Sequence, residues 1–98
     1  MSIAVDAEGG DYAPYEVVKG VIKAAQEYKI EITLVGRKDI LHVLAGRHLD
    51  RLGMTIVDAD EAIGFHEHPV EAVNSKPRSS IVVGTKLVKD GLASAFVS

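Results

Sequence analysis

The chain contains no cysteine, so it has no disulfide framework and no thiol chemistry. That fits a cytoplasmic protein. It has no excess of positive charge: 11 Lys and Arg stand against 14 Asp and Glu, a formal net charge of −3. A general nucleic-acid role is therefore not expected. No apolar run approaches the ~18 residues that a membrane-spanning helix needs. No basic segment precedes the first apolar run, so no signal peptide is expected. Internal repeats and low-complexity linkers are also missing. What is present is globular in character, with 47% hydrophobic residues. A length of 98 residues suits one small domain or a piece of a larger one. A chain this short buries only ~60–65% of its unfolded surface, so its stability alone is marginal.

The stretch that organises the chain runs from Ile3 to Pro14. Ile3, Ala4 and Val5 form a short apolar run that fits a buried strand. Gly9 and Gly10 follow, and glycine permits a positive φ or a close approach by a ligand or another strand. Pro14 suits the first turn of a helix, where its missing N–H is not needed. Strand, glycine turn and helix N-terminus together make a natural anion site, because free N–H groups and the helix dipole favour negative charge. Two carboxylates, Asp6 and Asp11, bracket the glycines and repel a bare anion unless they orient a donor, hold a cation or cap the helix. Asp11 reads equally as a simple helix cap, and Gly9-Gly10 also as a tight turn with no ligand.

Residues 13–29 read as an amphipathic helix, with Val17, Val18, Val21, Ile22, Ala25 and Tyr28 at three- and four-residue spacing. Residues 30–36 are a β-branched strand closed by Gly36. A second helix is expected over 37–52. Its apolar face is Ile40, Leu41, Val43, Leu44, Leu49 and Leu52; Gly46 weakens its middle and Gly53 stops it. His42, Arg47, His48 and Arg51 form a solvated, partly basic surface. Residues 54–58 are a third strand, followed by acidic Asp58, Asp60 and Glu61. A short helix opens near Pro69, with His68 at its cap, and stops before Pro77. Ser79 or Ser80 caps a helix over 80–90 with Ile81, Val82, Gly84, Leu87 and Val88 as its apolar face, and 93–98 is a fourth strand.

The order β-α-β-α-β-α-α-β predicts an α/β fold: a doubly wound, Rossmann-like parallel sheet with helices on both faces. The plainest strand order is 3-2-1-4, with a topological switch between the first and fourth strands, where such sheets bind ligands beyond the carboxyl ends. A fourth strand that ends at this mouth reads as a cut, so residues 1–98 are expected to be a single N-terminal α/β segment of a longer protein. The edge of that strand is expected to pair with another chain.

Three blocks of residues resemble one family. They are Ile3-Ala4-Val5-Asp6-Ala7-Glu8-Gly9-Gly10-Asp11-Tyr12-Ala13-Pro14, then Glu67-His68-Pro69-Val70-Glu71-Ala72-Val73, then Ser79-Ser80-Ile81-Val82-Val83-Gly84 through Leu87-Val88-Lys89-Asp90-Gly91 to Ala95-Phe96-Val97-Ser98. The chain resembles the opening of the bacterial phosphate acyltransferases, the fatty acid/phospholipid synthesis proteins. Glu8 departs from the pattern, which usually has Met there. The resemblance implies transfer of a fatty acyl group from acyl carrier protein to inorganic phosphate, giving an acyl phosphate for phospholipid synthesis. It also implies a partner acyltransferase that passes the acyl group to glycerol 3-phosphate, a homodimer, and a cytoplasmic protein associated peripherally with the inner face of the membrane. The implied fold is similar to the isocitrate/isopropylmalate dehydrogenase and phosphotransacetylase group. In the family a glycine-rich Ala-Gly-Asn-Thr-Gly-Ala loop follows the equivalent of Val97-Ser98, and that loop lies outside this sequence. No cofactor is implied.

Attack of phosphate on a thioester needs an anion site, an oxyanion stabiliser and a route for the acyl chain. Gly9, Gly10 and Asp11 are the candidates for phosphate binding. Asp6 is a candidate catalytic residue that orients a downstream cation or polarises water. His68 either protonates the leaving thiolate or only caps its helix. His66, Glu67 and His68 fall short of the four ligands of a closed zinc site, so no metal is expected. Two other readings compete with the acyltransferase: a nucleotide-binding Rossmann-type module, and a non-catalytic dimerisation or scaffold fragment. Against the first, the turn lacks Gly-x-Gly-x-x-Gly, and Gly36-Arg37 stands where an acid should end the second strand. The 98 residues by themselves are expected to be inactive.

Overall fold

Alternating apolar strands and amphipathic helices of this kind bury their faces by layering, and the chain does so. A computed structural model describes residues 2–10, 12–61, 71 and 74–98. In order, the elements are β1 (Ser2–Asp6), α1 (Tyr15–Tyr28), β2 (Glu31–Gly36), α2 (Lys38–Ala45), α3 (His48–Leu52), β3 (Thr55–Asp58), α4 (Ser80–Lys89) and β4 (Ala95–Val97). Four strands form one sheet in the order β3-β2-β1-β4. Every pair is parallel, with Asp6 opposite Val35, Gly36 opposite Asp58, and Val5 opposite Val97. The fold is therefore the α/β, Rossmann-like doubly wound sheet that the element order implies, and its switch lies between β1 and β4.

Alternation along the strands divides the core in two. On one face Val18, Val21 and Ala25 of α1 and Leu41 and Ala45 of α2 pack with Ile32 and Leu34. On the other, Val83 and Leu87 of α4 pack with Ala4, Val35, Ala59, Ala93 and Phe96. Leu34 and Leu41 are fully buried, and each such side chain contributes ~1.5–3 kcal/mol. No helix among the described residues is long and apolar enough to cross a membrane.

Three details differ from the sequence-based expectations. The helix expected over 37–52 is two helices, because the chain turns at Gly46 with φ 49° and its N–H bonds back to His42 O. With the break, Val43 faces solvent at 82% exposure instead of joining the apolar face. Tyr28 is likewise exposed, at the end of α1 where Lys29 leaves the helix in the left-handed region. The third difference is the rotation of α4. Ser80 and Gly84 are buried and Val83 and Leu87 partly buried against the sheet, while Ile81 and Val88 are more exposed, at 38% and 37%. Small residues select that side: a Cβ on Gly84 would overlap the ring of Phe96. The Ser79 cap is as expected, its Oγ accepting from Val82 N–H at 3.4 Å.

Candidate functional site at the carboxyl edge of the sheet

Parallel strands put all their carboxyl ends on one edge, so residues far apart in sequence meet there. At the switch, Asp6 ends β1 and Ser98 follows β4. The Asp6 side chain is buried at 4% exposure. Its Oδ1 accepts from the Glu8 N–H at 2.8 Å, and its Oδ2 accepts from the Ser98 hydroxyl at 2.7 Å. A buried carboxylate needs such donors, since burial without them is costly.

The two glycines above this pair do different work. Gly10 has φ 95°, a conformation most side chains avoid. Gly9 is not in the left-handed region, but a Cβ on it would lie 3.0 Å from Asp6 Oδ2 and 3.2 Å from Ser98 Oγ. One glycine is there for backbone geometry, the other for space. Among the described residues no acceptor meets the N–H of Gly9 or Gly10. Donors at the start of α1 are partly taken by the preceding turn: Glu16 N–H bonds to Tyr12 O and Val18 N–H to Pro14 O. Pro14 stands one position ahead of the helix, as its N-cap.

Glu8 turns toward β2. Its Oε1 accepts from the Arg37 N–H at 3.0 Å and lies 4.0 Å from Arg37 Nε. Gly36 permits this, because a Cβ there would lie 3.0 Å from Glu8 Oε1. Asp58 at the end of β3 then accepts from the Lys38 N–H at 3.0 Å. The N-terminus of α2 is thus occupied by two of the protein's own carboxylates. Gly36 and Arg37, not an acid, end β2 where a nucleotide ribose would be met, which weighs against the dinucleotide-binding reading.

Beside it, Arg78 donates from Nε to Asp60 at 2.6 Å and from Nη2 to Asp58 at 3.3 Å. The Asp60 carboxyl is held below its ordinary value, chiefly by the Arg78 hydrogen bond, and the Arg78 guanidinium is raised by the same bond. The backbone of Arg78 also pairs with Glu61, its N–H bonding to Glu61 Oε1 at 3.1 Å.

Of the candidate residues, the structure brings together Asp6 and Gly9, with Gly10 adjoining in sequence. Asp11 and His68 lie outside the described residues, as do His66 and Glu67. Sequence reasoning passed over Ser98 and the latch role of Glu8. The expected strand order holds the signal for Ser98, because order 3-2-1-4 sets the end of β4 beside the end of β1.

A parallel α/β sheet with a glycine turn at its switch point places the chain in the doubly wound class. Comparison with known sequences narrows it. Residues 1–98 match the family described as Fatty acid synthesis protein. A protein of Dehalococcoides mccartyi named Phosphate acyltransferase is 55% identical over 98 residues, covering 100% of this chain and 28% of the relative. Relatives of the same name from Pelotomaculum thermopropionicum and Desulforamulus reducens are 51% and 48% identical, again over 100% of this chain and 29% of their own length. The chain belongs to this fatty acid synthesis protein family. It spans less than a third of the length of these curated relatives.

Proposed function

We propose that these residues form the N-terminal part of a phosphate acyltransferase that moves a fatty acyl group from acyl carrier protein to inorganic phosphate. The observation that carries this reading is the 55% identity, over the whole chain, to a protein named Phosphate acyltransferase. The open glycine turn at the switch supports it, since phosphate needs N–H donors and Gly9 and Gly10 supply two. In the reaction a phosphate oxygen bonds to the thioester carbonyl carbon and the C–S bond breaks with its electron pair going to sulfur. The P–OH proton ends on the thiolate, leaving acyl phosphate and free carrier thiol. Phosphate is already a nucleophile at neutral pH, so no Ser or Cys attack is required.

In this reading Gly9, Gly10 and Asp11 hold phosphate, Asp6 orders the turn beneath it, and His68 assists the leaving group. The acyl phosphate feeds phospholipid synthesis through an acyltransferase acting on glycerol 3-phosphate. The whole protein is a homodimer in the cytoplasm, touching the inner face of the membrane peripherally. The test is release of carrier thiol from acyl-acyl carrier protein by the full-length protein that carries these residues. Release is expected only when phosphate is present, and not from the 98-residue chain alone. Phosphate-independent release, or none from the full-length protein, would overturn the reading.

A further inference from the structure

We draw no further inference here: the strongest candidate, the groove between α4 and the end of β3 lined by Val57, Arg78, Val82, Val83, Lys86 and Leu87, carries nothing, because nothing in the structure shows what covers it.

Discussion

The two halves of the sheet's carboxyl edge carry similar residues and end in opposite conditions. On the β2–β3 side three acids are engaged: Glu8 takes the Arg37 N–H, Asp58 takes the Lys38 N–H, and Arg78 bridges Asp58 and Asp60. On the β1–β4 side the acid is engaged below, between Glu8 and Ser98, while the glycine turn above it keeps donors that no described residue satisfies. A helix N-terminus attracts anions only while its donors are free. The protein's own carboxylates take the backbone donors at one end of the edge and leave those of the glycine turn unmet by any described residue at the other. The difference comes from what meets each strand end across the sheet, not from the local residue types.

The comparison can be broken most severely through α4. Gly84→Val would drive its side chain into the Phe96 ring and push β4 away from β1, parting Ser98 from Asp6. A loss of about 3 kcal/mol is expected in denaturant unfolding of the full-length protein, at the upper end for overpacking. Phe96→Ala in the same chain should recover part of it. Unchanged stability in Gly84→Val would mean that the open half does not depend on this packing.

A smaller effect separates the two glycines. Gly10→Val places a β-branched residue at φ 95° and is expected to cost about 1–3 kcal/mol and abolish turnover. Gly9→Ala adds a methyl where the backbone allows one, so its melting temperature should fall less while the KM for phosphate rises more. If Gly9→Ala left phosphate binding untouched, the space above Asp6 and Ser98 would not be a ligand's.

The smallest effect belongs to the closed half. The Asp60 carboxyl lies below its ordinary value of 3.8 because Arg78 bonds to it. A depressed carboxyl contributes stability that is fully present above the ordinary value and is lost as pH falls through the lowered one. Both groups are exposed, so the contribution is slight and screened by salt. Melting curves of the unsubstituted protein and Asp60→Asn should differ a little at neutral pH and converge below pH 3.8. A gap that persists in acid would assign Asp60 a role other than this ion pair.

Periodicity and turn chemistry alone determine much of this molecule. Apolar runs of β-branched residues mark β1 to β3, three- and four-residue spacing marks α1, and Ser79 marks the start of α4. Their alternation dictates a parallel sheet, and the crossover rule its order, because each helix must bury its stripe on the sheet between the strands it joins. The positive φ of Gly10 is also legible, since Gly-Gly before a helix calls for it. Side-chain contact across the sheet is not legible in the same way. Ser98 stands 92 positions from Asp6, and only the pairing of β1 with β4 gives it a carboxylate. Glu8 reads locally as one more charge beside an anion site; the tertiary structure turns it onto Arg37, where an unmet backbone donor holds it. The stripe of α4 keeps the expected Gly84 and Leu87 but is rotated to take in Val83 in place of Ile81 and Val88, because the Phe96 ring fills the volume beside Gly84 and fixes which side of the helix meets the sheet. Local patterns decide which elements form, and the tertiary structure decides which donors stay free, because a donor's state depends on whatever the fold brings against it.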